Sequence, residues 1–172
     1  EAQRLRSITP PPSNRPYQVT SEDTNAILSM ASQFNLDPKG LAALLHLESG
    51  LNPNRWGGDG GKYVGIIQFG EGARSETGLP ATKAQWKNMT IAEQIPYAIQ
   101  YLKGRGLTAD RLTADPWHNL MLVYMTILNG NPDSDPTFKD SNGMSVDTAM
   151  RDYFRPGTRT YNEAQEIMGW GN

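Results

Sequence analysis

The sequence predicts a mainly α, helical domain, and three observations carry that expectation. Apolar residues recur at spacings of three and four along most of the chain, capping residues stand where those periodic segments begin, and no stretch sustains the alternation of a half-buried strand. The one long interruption is a glycine-rich stretch at residues 52–72, expected to be mostly loop.

The elements follow in chain order. Thr20 and Asp23 form a capping pair ahead of Ile27, Met30, Ala31 and Phe34, an i, i+3, i+4, i+7 set. Asp37 and Pro38 supply a cap and a first-turn proline for a second helix carrying Leu41, Leu44, Leu45 and Glu48, with Gly50 placed to end it. Within the glycine-rich stretch, Val64 to Phe69 is short and apolar, an irregular strand or a turn entering a helix. Thr90 and Glu93 make a capping box for a helix with Ile95, Ala98, Ile99 and Leu102, which Pro96 is expected to bend near its start. Asp115 and Pro116 open a further helix with Leu120, Tyr124, Ile127 and Leu128 inward and Gly130 beyond its end. Residues 130–143 read as loop, and two shorter helices follow, roughly Ser145 to Phe154 and Thr160 to Met168.

Composition bounds the function. With 172 residues, 37% of them hydrophobic and 20% charged, the chain suits one domain with a sizeable core. A net charge of −2 provides no basic field for nucleic acid or an anionic membrane, and no apolar run approaches the ~20 residues that span a bilayer. Cysteine is absent, which removes disulfide and thiolate chemistry. The chain starts at Glu1 with a polar, proline-rich opening, so residues 1–19 are expected to be a linker or extension of a larger protein and residues 20–172 the domain.

Glu48 is the strongest local signal, because it occupies a position on its helix face where a leucine belongs. A carboxyl group facing a core is costly to ionise, so burial would hold its proton near neutral pH and make it a ready general acid. The competing reading is that Glu48, in the last turn, reaches solvent or caps the next turn. Other motifs fail on detail. Gly60, Gly61 and Lys62 resemble the end of a phosphate loop, but Tyr63 stands where Ser or Thr should bind magnesium and Trp56 where the first glycine should be. Asp133, Asp135 and Asp140 lack the spacing of an EF-hand. His46 and His118 form no zinc motif, and no metal or cofactor is expected. Of Trp56, Trp86, Trp117 and Trp170, Trp56 in its polar loop is the best candidate for a sugar-stacking platform.

Taken together, "LESGLNP" at Leu47 to Pro53, "GIIQF" at Gly65 to Phe69 and "ILNGNP" at Ile127 to Pro132 resemble the lytic transglycosylases, whose lysozyme-like fold is shared with goose-type lysozyme. The resemblance covers about Thr20 to Met168 and extends to Tyr161 in "TRTYNEAQ". Three departures accompany it: Gln68 lies farther from Glu48 than is usual, glycine near Gly57 replaces a loop serine, and Leu128 stands in place of the family's tyrosine, leaving Asn129 as the match. The resemblance implies a helical domain with a glycine-rich lobe and, as substrate, the glycan strands of peptidoglycan. Glu48 would be the single acid and base that cleaves between N-acetylmuramic acid and N-acetylglucosamine with a 1,6-anhydro product. Ser49, Trp56, Gln68, Phe69 and Asn129 would line the substrate groove, and Tyr161 would lie beside Glu48. The resemblance further implies a phage virion, in its tail or as an internal protein, or the bacterial periplasm and cell envelope, within a larger protein or assembly.

Each residue has a plainer reading: Gln68 ties its loop down, Asn129 caps its helix in left-handed geometry, and Tyr161 is ordinary core. Two rival functions also stand. A hydrolytic lysozyme would use Asp59 or Glu71 as a second carboxylate to activate water. A non-catalytic module would bind glycan or serve as a structural part of a virion or secretion machine.

Overall fold

The computed structural model describes residues 17–57, 62–78, 83–140 and 142–171. Among these residues are eight α-helices: α1 (Ser21–Gln33), α2 (Pro38–Ser49), α3 (Glu71–Glu76), α4 (Lys83–Lys87), α5 (Ile91–Gly104), α6 (Pro116–Asn129), α7 (Val146–Asp152) and α8 (Arg159–Met168). Two short strands, β1 (Trp56–Gly57) and β2 (Tyr63–Val64), pair antiparallel between α2 and α3, with Trp56 opposite Val64. The protein is mainly helical, as periodicity and caps foretold.

The cap chemistry explains where the helices start. The Thr20 hydroxyl accepts from Asp23 N while the Asp23 carboxylate accepts from Thr20 N, a reciprocal pair repeated by Thr90 and Glu93. Asp37 and Asp115 each accept from the backbone two residues on, ahead of a first-turn proline. α5 runs on through Pro96 as one helix.

α2 is the axis of the fold. Nine of its twelve residues are buried, and Ala42 and Ala43 are as inaccessible as Leu41, Leu44 and Leu45. A helix apolar on all sides belongs inside a domain rather than on its surface. α1, α6 and α8 pack around it, and α5 packs against α1 and also touches α6. At Gly40, an added Cβ would stand 3.1 Å from both Leu120 and Trp117, so glycine is what lets α6 approach closely.

Buried polar groups pin the layers. The fully buried Asp23 carboxylate accepts from Tyr17 Oη at 2.6 Å and from Ala92 N at 2.8 Å, joining α1 to the start of α5. Burial and the Asp23 carboxylate push the Tyr17 phenol well above its ordinary value. Tyr17 lies within the stretch assigned to the linker, so the packed domain includes it; residues 1–16 are outside the described residues. Gln165 Nε2 donates to Lys39 O at 3.0 Å, fastening α8 to α2.

α3, α4 and the 3-10 turn at Ala109–Arg111 were not expected, because pieces of three to six residues are too short to display a helical period. α4 nonetheless carries Trp86, which is wholly buried. In the acidic loop, Asp135 accepts from Thr137 N and Asp140 from Asn142 N and Met144 N, so both carboxylates serve backbone turns. No helix among the described residues is long and apolar enough to cross a membrane.

Candidate active site

Glu48 lies in the last turn of α2 and is 2% exposed, so its carboxyl does not reach out into solvent. The helix ends where Gly50 takes the left-handed conformation at φ 69°, with its N–H on His46 O at 2.7 Å. Leu51 follows with φ 56° and is itself buried, and Asn52 accepts from Asn54 N at 2.9 Å. These tight turns bring the chain back under the end of the helix. A Cβ at Gly50 would lie 3.8 Å from Arg55 Nη1.

Arg55 is 3% exposed, a rare state for a guanidinium. Burial lowers its proton affinity below the ordinary arginine value, and the negative charge of Glu48 opposes that lowering. Glu48 and Arg55 therefore form an electrostatically coupled acid and cation at the C-terminal end of the central helix.

The main chain of Arg55 also anchors the glycine-rich lobe. Val64 and Phe69 exchange backbone hydrogen bonds at 3.1 and 2.8 Å, closing a four-residue loop at 65–68. Gly65 has φ 97° and Gln68 φ 57°, the latter a strained state for a residue with a side chain. The strain has a purpose: Gln68 Nε2 donates to Gly65 O at 2.9 Å and to Arg55 O at 3.1 Å, while Gly65 N donates to Arg55 O at 3.1 Å. Arg74 Nη1 donates to Phe69 O at 2.9 Å from α3.

Gln94 locks this lobe to α5. It is fully buried, accepts from Ile66 N at 2.8 Å and donates to Pro53 O at 2.8 Å and Trp86 O at 2.9 Å. Its Oε1 would stand 2.8 Å from a Cβ at Gly65, which reserves that position for glycine.

Several expected site residues are placed otherwise. Ser49 is buried and its hydroxyl donates to Leu45 O at 3.0 Å, one turn back within the helix. Phe69 is 1% exposed and packs on Trp86 and Tyr101 with ring centroids 4.6 and 6.0 Å away, which makes it the apolar anchor of the lobe and not a groove wall. Tyr161 is buried, and burial together with the Asp37 carboxylate raises its phenol above the ordinary value. Asp37 caps the start of α2, while Glu163, two residues after Tyr161, bonds His46 in the last turn of α2, so α8 lies along the length of α2. Asn129 is the last residue of α6 and donates from Nδ2 to Ser134 Oγ at 3.1 Å; the left-handed cap is Gly130, at φ 83°.

The remaining candidates stay at the lobe. Gln68 is within two links of Glu48 through Arg55, although both of its amide hydrogens go to main-chain carbonyls. Trp56 is half-buried in β1. Glu71 is exposed at the start of α3, with Arg74 as its charged neighbour, and Asp59 lies outside the described residues.

Arg55 and Gln94 are the participants that sequence reasoning missed. Gln94 carried a usable signal, since it falls on the same apolar face of α5 as Ile91, Ile95, Ala98 and Leu102. Arg55 carried none, because a basic residue in a polar loop reads as solvated.

No family model matches the chain, and no curated protein sequence matches it.

Proposed function

We propose that this protein is a peptidoglycan lytic transglycosylase with a lysozyme-like arrangement, in which Glu48 is the single acid and base. The observation that carries the reading is the burial of Glu48 at the end of the central helix, next to a hairpin lobe fastened to the same turn. A carboxyl group there contributes nothing to packing that a leucine would not supply better, and removing it from water is costly. The resemblance of the motifs around Glu48, Gln68 and Asn129 to those of the lytic transglycosylases suggests the substrate class.

The chemistry balances without water. Protonated Glu48 gives its proton to the oxygen joining C1 of N-acetylmuramic acid to C4 of N-acetylglucosamine, and the C1–O bond breaks with an oxocarbenium-like centre at C1. The Glu48 carboxylate then takes the proton of the muramic C6 hydroxyl. As O6 bonds to C1, the 1,6-anhydro ring closes and Glu48 is protonated again. Arg55 supports the ionised form between the two transfers. The reading places the protein at a bacterial wall, in an envelope machine or a virion.

The test is mass spectrometry of the soluble products released from purified peptidoglycan by the wild type and by Glu48→Gln. Anhydromuropeptides from the wild type alone are expected. Reducing-end products would make the protein a hydrolase, and release by neither would make it a non-catalytic module.

A further inference from the structure

A groove at the opposite end of α2 from Glu48 has the chemistry of a second binding site. It encloses about 570 Å³ and is lined by Trp117, Asp147, Met150, Arg151, Arg155 and Pro156. Trp117 packs against Gly40, eight residues before Glu48, so the groove stands about 12 Å or more along the helix from that carboxyl.

The lining divides by character. Trp117 and Met150 are half-buried and, with Pro156, form an apolar floor. Arg151 is engaged by its neighbour Asp152, through Nε to Oδ1 at 2.9 Å and Nη2 to Oδ2 at 3.0 Å. Arg155 and Asp147 are exposed, and neither side chain has a hydrogen-bond partner among the described residues, although Arg151, one turn on, lies in the field of the Asp147 charge. One cation and one anion without side-chain hydrogen bonds thus share the rim of an aromatic-floored groove. A ligand that answers all three features carries an ammonium and a carboxylate together on an aliphatic arm.

We propose that this groove binds the zwitterionic amino-acid ends of the peptide arms of the wall polymer, with the arm on Trp117, the carboxylate on Arg155 and the ammonium on Asp147. The choice of this ligand source rests on the function proposed above; the ligand chemistry rests on the groove alone. Such a site would hold the polymer at a point remote from cleavage and would favour strands whose arms are not cross-linked.

The test is calorimetric titration of the full chain with the tripeptide L-alanyl-γ-D-glutamyl-meso-diaminopimelate. All peptides carry an acetylated alanine amine, as in the polymer where that nitrogen is amide-linked; a form also acetylated on the distal diaminopimelate amine, and one amidated on the carboxyl group beside that amine, are the controls. Binding of the peptide with both of those groups free is expected, weakened about tenfold by Arg155→Gln, by Asp147→Asn or by either control block, the loss of one charge-assisted contact. Both substitutions are at exposed positions, so folding is preserved, and Glu48→Gln should leave this binding unchanged. Absence of binding, or equal binding by the blocked peptides or by both variants, overturns the proposal. If the peptide binds as expected while peptidoglycan is not cleaved, the groove stands and the reading of the Glu48 site falls. If peptidoglycan is cleaved but the peptide does not bind, the groove alone falls.

Discussion

Gln68 donates its side-chain amide to the main-chain carbonyl of Arg55 at 3.1 Å, which joins the tip of the hairpin to the turn that follows the central helix. Gln68 holds φ 57° to make this bond and the one to Gly65 O at 2.9 Å. Gln68→Glu replaces both donors with a carboxylate facing two carbonyls, and is expected to destabilise the protein by about 2–4 kcal/mol. Gln68→Gly relaxes the backbone and loses the bonds, so it should cost less than Gln68→Glu. Chemical denaturation of the two variants checks the order; equal costs would mean that the amide is not the tie.

Gly65 and Gln94 should behave as one unit. Gly65→Ala introduces a Cβ at 2.8 Å from Gln94 Oε1 and also opposes the φ of 97°. Gln94→Ala leaves Ile66 N, Pro53 O and Trp86 O without their buried partner, at about 2–4 kcal/mol. In the Gln94→Ala background the clash is gone and only the backbone strain remains, so Gly65→Ala should cost at least about 1 kcal/mol less there than in the wild type. Additive costs in a double-mutant cycle would contradict the contact. Faster amide exchange at Ile66 in Gln94→Ala would report the freed lobe.

What was legible in the sequence follows from length. Helices of ten or more residues announced themselves through period and caps, and Thr20, Asp37, Thr90 and Asp115 all cap as expected. α3 and α4 were invisible because a turn and a half of helix shows no period, and the role of Gln94 emerges only once the lobe it holds is folded. Glu48 was legible by the same logic that would have found Gln94, a polar residue on an apolar stripe. Ser49, Phe69 and Tyr161 were expected in the groove from their place in the motifs, but a motif says nothing about the direction of a side chain, and all three are buried.

The clamp of α8 on α2 should depend on acid. Glu163 accepts from His46 Nε2 at 3.1 Å and from Arg159 Nε at 3.0 Å, and these bonds, His46 first, hold its carboxyl below the ordinary value of 4.5. A carboxylate with a depressed folded-state pKa stabilises the fold above its unfolded value, and that contribution is lost as pH falls through the folded-state value. Because the Glu163 side chain is 44% exposed, the contribution is about 0.3–0.5 kcal/mol. Melting curves from pH 6 down to pH 3 should therefore fall less steeply for Glu163→Gln than for the wild type. Parallel curves would show that the clamp carries no pH-dependent stability.

Glu48 and Arg55 give the last and most direct test, because stability and activity should respond differently to the same pair. The Glu48 charge offsets the cost of burying Arg55, so Glu48→Gln leaves the guanidinium less well compensated and should destabilise the wild type. With Arg55→Met already present, that charge has no buried cation to support. A neutral amide is then easier to bury than a carboxylate, so Glu48→Gln should become neutral or stabilising. The cycle should therefore show a coupling of about 1–3 kcal/mol at neutral pH. Cleavage should follow another pattern: Glu48→Gln loses about 10²–10⁴-fold in rate, as removal of a general acid does, in either background. Arg55→Met keeps the acid and should retain measurable cleavage. Loss of cleavage in Arg55→Met equal to that in Glu48→Gln, in a protein that still melts cooperatively, would move the essential chemistry from Glu48 to the pair.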